Sequence, residues 1–135
     1  MVVNHTPMLP FRVQFKPGPR SYDQVVYAVK KAIISGALQP GDGFPSVRVM
    51  SQELGINPNT AQKVIAALVE ERLLIVKPGI GTVLAEAGPA SHEERKSLLG
   101  RDLERVVVEA QSLRLDYTEF VQAIEKHWIR LKGKQ

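Results

Sequence analysis

Apolar positions recur at helical spacing in three successive segments of the first half of the chain. In the segments that begin at Ser21, Ser46 and Asn57, apolar residues return every three or four positions. This spacing predicts three helices, each with one buried face. The third of them is expected to end near Arg72.

The predicted helix boundaries carry recognisable capping residues. Ser21 and Gln24 fit a capping box, in which each side chain satisfies the backbone N–H of the other. Ser46 and Asn57 are suitable N-caps for the second and third helices, because serine and asparagine oxygens accept hydrogen bonds from free helical N–H groups. Gly36 and Gly55 are expected to end the first two helices.

Two short apolar runs follow the third helix. Residues 73–76 and 82–84 are apolar and rich in β-branched side chains, and Lys77-Pro78-Gly79-Ile80-Gly81 lies between them. This arrangement predicts a β-hairpin. Gly88 and Pro89 then mark a boundary.

The N-terminal residues 1–20 are proline-rich and basic. Four of the nine prolines lie there, which disfavours a helix. Phe11, Val13 and Phe15 alternate with polar residues, so one short strand is expected. We favour an arm packed on the domain over a basic arm that lies near phosphates.

The last part of the chain, residues 89–135, is predicted to contain two helices. Ser91 with Glu94 and Asp116 with Glu119 mark their starts. The first carries a heptad-like apolar seam and the second an apolar stripe, and two helices of this size cannot bury so much apolar surface alone. We therefore expect homodimerisation through Leu99, Leu103, Val106, Ala110, Leu113, Phe120, Ile124 and Trp128.

Composition narrows the class of protein. The chain has 135 residues, no cysteine and a net charge of +4, which excludes disulfides and cysteine-ligated zinc and mildly favours an anionic partner. No apolar run is long enough to cross a membrane, so a cytoplasmic protein with no membrane contact is expected. His5, His92 and His127 lack metal-ligand spacing, and no catalytic motif is present. We expect neither a metal, a cofactor nor an enzymatic activity.

The order of the predicted elements specifies a fold. Two helices joined by a three-residue turn that begins with Gly55 form a helix-turn-helix, and the glycine-rich hairpin adds a wing. The expected fold class is therefore mainly α with a small β-wing. The expected parts are an arm over 1–20, a winged helix-turn-helix domain over 21–88 and a two-helix dimerisation region over 89–135.

Residues 22–84 resemble the DNA-binding domain of the GntR family of bacterial transcription regulators. Asn57-Pro58-Asn59-Thr60 and the short C-terminal part resemble its YtrA-type subfamily. The matching residues are Ile34, Gly36, Leu38, Pro40-Gly41-Asp42, Pro45-Ser46, Arg48, Leu54-Gly55, Asn59-Thr60, Leu68 and Gly79-Ile80-Gly81-Thr82. The resemblance implies a homodimeric regulator, usually a repressor.

The third helix carries the side chains expected to recognise DNA. Asn59 and Lys63 lie opposite its apolar face, and Gln62 flanks them. In a major groove the two carboxamides can pair with base edges, and Lys63 can reach guanine or phosphate. Glu70 lies on the same side and would repel phosphates, so contact is expected in the first two turns only. The less specific interpretation is a solvated helix face.

The resemblance also implies contacts outside the third helix. It assigns Arg48 to DNA and Ser46 to a phosphate oxygen; a surface ion pair and a simple N-cap are the structural alternatives. The wing is expected to contact DNA, although its glycines also suit an ordinary hairpin turn. The full set of expected DNA-binding residues is Ser46, Arg48, Asn57, Asn59, Thr60, Gln62, Lys63, Lys77, Gly79, Gly81 and Thr82.

We therefore expect a sequence-specific transcription regulator that binds a pseudo-palindromic double-stranded DNA operator as a homodimer. The alternatives are a winged helix that contacts only proteins and, with no supporting residues, an enzyme. A small-molecule effector is conceivable, but nothing in the sequence identifies one.

Overall fold

A computed structural model of the protein describes residues 9–86, 88 and 90–132. These residues form two compact units, with the division at Gly88. The elements of the first unit are α1 (Ser21–Ser35), α2 (Val47–Leu54), α3 (Pro58–Glu70), β1 (Leu74–Lys77) and β2 (Gly81–Leu84). This order confirms the predicted winged helix-turn-helix.

The predicted caps of α2 and α3 are present. Ser46 Oγ accepts the N–H of Val49 at 3.2 Å, and Asn57 Oδ1 accepts the N–H of Asn59 at 2.7 Å. Gly55, at φ +65°, ends α2 in the left-handed conformation that glycine adopts without a steric penalty. These local signals fix the turn between α2 and α3.

The capping box predicted at the start of α1 is wrong. Arg20 is the N-cap residue of α1 and has no side-chain capping bond. The amide of Gln24 instead donates to the carbonyls of Lys16 and Pro19 and accepts the N–H of Lys16. The arm offers Gln24 three backbone partners, and these replace the local one.

The core of the first unit lies where the three helices meet the hairpin. α3 packs against α1, α2 and β1, so its apolar face is enclosed. Side chains from every element contribute to the core, and the largest of the fully enclosed ones are Val25, Val29, Leu38, Met50, Val64, Leu68 and Leu74.

The wing contains a backbone segment that the sequence analysis did not identify. β1 and β2 pair antiparallel, with Leu74 opposite Leu84. The outer edge of β2 also pairs: the N–H of Phe44 donates to the Thr82 carbonyl at 2.8 Å, and that of Leu84 to the Asp42 carbonyl at 2.9 Å. β2 is therefore held on both edges.

The strand predicted over Phe11, Val13 and Phe15 is absent, although all three residues lie in the described part of the chain. Phe11 is instead buried in the core, and its ring stacks on that of Phe44 with centroids 5.8 Å apart. The alternation of apolar residues does not produce strand pairing: Phe11 is held by side-chain burial, Val13 is half-buried and Phe15 is exposed.

The second unit is helical. It contains α4 (His92–Ser97), a π-helical segment (Leu98–Asp102), α5 (Leu103–Ser112) and α6 (Tyr117–Leu131). The first three follow one another without a break, and Ser91 Oγ caps α4 by accepting the N–H of Glu94. No helix in the described part of the chain is long and apolar enough to cross a membrane.

Candidate nucleic-acid interface

α3 is an amphipathic helix whose inner face is anchored. Ala61, Val64 and Leu68 on that face have no exposed surface. Only Gly55, Ile56 and Asn57 separate α3 from α2, and the two helices pack directly on each other. The orientation of the outer face of α3 is therefore fixed by the core.

The N-terminal half of that outer face is open. Asn59, Gln62 and Lys63 are exposed, and no hydrogen bond or ion pair to another described residue engages their side chains. Thr60 is half-buried at its edge. Amides and an ammonium group without protein partners are free to bond an external ligand.

Two predicted contact residues also have a structural task. The side-chain oxygen of Asn57 is occupied by the N–H of Asn59, and the hydroxyl of Ser46 accepts from Val49. A serine hydroxyl that accepts a bond still carries a proton to donate. Ser46 can therefore cap α2 and donate to an anion at the same time, and Asn57 can donate to an anion through its side-chain N–H groups.

Arg48 lies in the first turn of α2. Its guanidinium is exposed and has no ion-pair partner among the described residues. The surface ion pair considered for this residue is thus absent from the described part of the chain. A helix N-terminus beside a free arginine is a favourable position for a phosphate.

The wing residues lie at the outer end of the hairpin. Lys77 is exposed at the end of β1 opposite Gly81, and Thr82 is half-buried. Gly79 and Gly81 have φ of +76° and +110°, which side chains rarely adopt. The glycines are required by the backbone path of the tip.

The charges along α3 are segregated. No carboxylate lies between Pro58 and Val69. Glu71, just beyond the helix, pairs with Lys30 of α1 at 2.9 Å. The acidic C-terminal end of α3 is therefore partly neutralised within the domain. Of the cations without an ion-pair partner among the described residues, Lys63 lies on the N-terminal half of α3 and Arg48 lies on α2.

Most of the residues predicted to form a dimer surface are exposed. Leu99, Leu103, Val106, Leu113, Ile124 and Trp128 leave at least a third of their surface open, and Phe120 is half-buried. Ala110 is buried within the protomer, so it offers no free surface.

The predicted absence of a metal site rests on separated histidines. His92 and His127 lie on α4 and α6, and His5 lies outside the described residues. Within the described ranges, no three His, Cys, Asp or Glu side chains lie close enough together to hold a metal ion.

Comparison with known proteins shows which sequences this chain resembles. Residues 21–84 match the sequence model of the bacterial regulatory proteins of the gntR family. The chain is 27% identical over 120 residues to the HTH-type transcriptional repressor YtrA of Bacillus subtilis, covering 85% of this chain and 92% of that protein. It is 29% identical to the HTH-type transcriptional regulator YhcF of the same organism, covering 83% and 93%.

A solved structure shares the fold. The crystal structure of a transcriptional antiterminator from Listeria monocytogenes superimposes with a TM-score of 0.82 and 23% sequence identity, covering 93% of this chain and 94% of that one. At this identity the likeness concerns the fold alone.

Proposed function

Because the chain carries a DNA-binding helix-turn-helix domain of the GntR family over residues 21–84, we propose that it is a transcription regulator that reads its operator through the N-terminal half of α3. The observation that carries the proposal is the open face of Asn59, Gln62 and Lys63 on a helix whose opposite face is fully buried. A major groove admits such a helix and presents hydrogen-bonding base edges to it.

The side chains divide into two roles. Asn59 and Gln62 are the base readers, since a carboxamide can bond one base edge through two atoms, and each such contact discriminates by about 1–3 kcal/mol. Lys63, Arg48, Ser46 and Lys77 supply cations and donors for phosphate oxygens, which position the helix. Further contacts to DNA are proposed for neighbours of these groups in the sequence. They are the side chains of Thr60 and Thr82 and the backbone at Asn57, Gly79 and Gly81.

The second unit supplies the dimer. Leu103 and Val106 on α5, and Ile124 and Trp128 on α6, make one side of each helix far more apolar than a solvated helix needs. A second copy of the same chain is the simplest cover, because a two-fold interface buries the same surface of both copies. Two α3 helices related in this way fit a pseudo-palindromic operator.

Repression is the direction of regulation we propose, because the relative that this chain matches over 92% of that protein's length bears the name of a repressor. We place the protein in the cytoplasm, where its DNA target lies. The proposal assigns it no cofactor and no catalytic step.

The test begins with selection of duplexes from a random library by the complete chain. Fluorescence anisotropy then compares the selected duplex with a scrambled one at several salt concentrations. Asn59→Ala is expected to lower affinity for the selected duplex about 5- to 100-fold and affinity for the scrambled duplex far less. Lys63→Ala is expected to weaken both and to reduce the salt dependence.

Glu70→Gln is the matched control, since it alters the far end of the same face. It removes a charge that repels phosphate, so affinity should stay equal or rise. Failure to enrich any duplex, or binding that does not depend on salt, would favour the protein-contact module. Equal losses on both duplexes for Asn59→Ala would overturn the proposed readout.

A further inference from the structure

The tip of the wing presents a hydrocarbon side chain to solvent. The three-residue loop Pro78-Gly79-Ile80 joins β1 to β2, and the N–H of Ile80 donates to the Lys77 carbonyl at 3.1 Å. Ile80 is 74% exposed, the most open of the large apolar side chains in the described part of the first unit. It contributes nothing to the core.

The surroundings of Ile80 point to an anionic partner with apolar walls. Residues 72–85 contain two cations, Arg72 and Lys77, and no carboxylate side chain. Val76, which precedes Lys77 on β1, is also largely exposed. A DNA minor groove combines these properties, since phosphates line its rims while sugars and base C–H groups form its walls.

The wing is held in a fixed position relative to α2. The outer edge of β2 bonds to Asp42 and Phe44, and Phe44 lies only two residues before Ser46, the cap of α2. The tip and the helix-turn-helix therefore belong to one body. Ile80 should meet DNA at a constant number of base pairs from the site of α3.

We propose that Ile80 enters the minor groove beside the α3 site and makes the wing select A·T over G·C pairs there. The proposal rests on the DNA-binding function proposed above. In the minor groove an A·T pair presents acceptors only, whereas a G·C pair adds the guanine N2 amino donor. An isoleucine that covers this donor leaves it without an acceptor, and an unsatisfied buried donor is costly. The expected discrimination is on the order of tenfold.

The test uses base pairs that separate the minor groove from the major groove. Three-base-pair blocks on each side of the selected operator are replaced by A·T, G·C or inosine·C pairs, and affinity is measured by anisotropy at constant salt. Inosine·C lacks the amino group but keeps the major-groove edge of G·C. Only the block that the wing reaches in each half-site should matter. With A·T or inosine·C pairs in that block, the complete chain should bind about tenfold more tightly than with G·C pairs.

Ile80→Ser is the variant that should lose this preference, because its hydroxyl can accept the amino hydrogen. Ile34→Ser is the control, since it makes the same change at an exposed position of α1 and should keep the preference. Circular dichroism melts of both variants should match the parent, because both side chains are exposed.

Each other outcome overturns the proposal. Inosine·C that binds as weakly as G·C would place the preference in the major groove. If Ile80→Ser keeps the preference for A·T, that preference comes from DNA shape. Equal affinity for all blocks would show that the preference does not exist. In all three cases, retained operator binding leaves the proposed function intact. Loss of binding to every duplex, including the operator, would overturn both.

Discussion

Ser46 combines two tasks that substitution can separate. Its hydroxyl caps α2, and the same oxygen lies where a phosphate would approach the helix N-terminus. Ser46→Asp keeps a capping acceptor, so the free energy of unfolding should stay within about 0.5 kcal/mol of the parent. The added charge should lower operator affinity at least tenfold, as measured by anisotropy at low salt.

Ser46→Ala gives the complementary result for this prediction. Loss of the cap should cost about 1 kcal/mol in urea unfolding. If Ser46→Asp binds the operator as well as the parent does, Ser46 serves only the helix.

Arg72 and Arg114 occupy positions where glycine is usual. Each lies just beyond a helix at positive φ, +65° and +60°. In each case the next N–H bonds back to the carbonyl five residues earlier, Leu73 to Leu68 and Leu115 to Ala110. These are Schellman motifs with arginine in the left-handed position. The sequence marks the ends of α1 and α2 with glycine, but it gives no comparable signal here.

Arg72→Gly should stabilise the protein. The left-handed conformation costs a non-glycine residue about 1–2 kcal/mol, and the larger unfolded-state entropy of glycine offsets about 0.5–1 kcal/mol of that. The expected gain in urea unfolding is about 0.5–1 kcal/mol. Ala66→Gly, within α3 at ordinary helical angles, is the control and should cost about 1 kcal/mol. A loss in both variants would refute strain at Arg72.

At the scale of elements, the sequence predicts α2, α3 and the hairpin well because their signals are local. The caps at Ser46 and Asn57, the turn at Gly55 and the apolar periods all act within a few residues. The arm and residues 41–44 are different. Their partners, Phe44 for Phe11 and β2 for the segment 41–44, lie far along the chain. No local period or turn residue encodes that pairing.

The described part of the arm, residues 9–20, is therefore a structural part of the domain. Phe11 is buried and stacked, while Phe15, four residues later, is 42% exposed. Phe11→Ala should lower the free energy of unfolding by about 3 kcal/mol, since it opens a cavity beneath Phe44, whose backbone bonds to β2. Phe15→Ala should change it by less than about 0.5 kcal/mol. Similar urea midpoints for the two variants would show that the arm is dispensable.

At the scale of the whole molecule, the apolar period of α3 alone predicts the proposed base-reading residues, whereas the apolar period of α5 does not define the dimer surface. Periodicity places Leu103, Val106 and Ala110 on one seam, but Ala110 is already buried within the protomer. Exposed apolar residues also lie outside that seam, at Val107 and Val108. A one-dimensional pattern cannot show which apolar side chains a protomer covers by itself.

Leu103→Asp should convert the protein to a monomer at micromolar concentration, because it places a charge in the proposed interface. Light scattering after size exclusion measures the mass, and operator affinity should fall about 100-fold or more since one half-site is lost. Val108→Asp is the control: it lies about 140° around α5 from Leu103, by 100° per residue, and is 58% exposed. A monomeric Val108→Asp, or a dimeric Leu103→Asp, would contradict the proposed seam.

The π-helical segment gives the long helix of the second unit a particular kind of evolvability. A π-helical turn closes its hydrogen bonds over five residues instead of four, so it contains one residue more than an α-helical turn. Gly100 lies within this segment, and the space around its missing Cβ is open. Deletion of one residue there restores a regular helix and leaves both flanks intact, but it turns the side chains on either side relative to one another by about 100°. A single codon lost or gained at this point can thus change the direction in which Leu98 and Leu99 face relative to Leu103. Diverging descendants can in this way alter the proposed dimer interface while their DNA-binding domain remains the same.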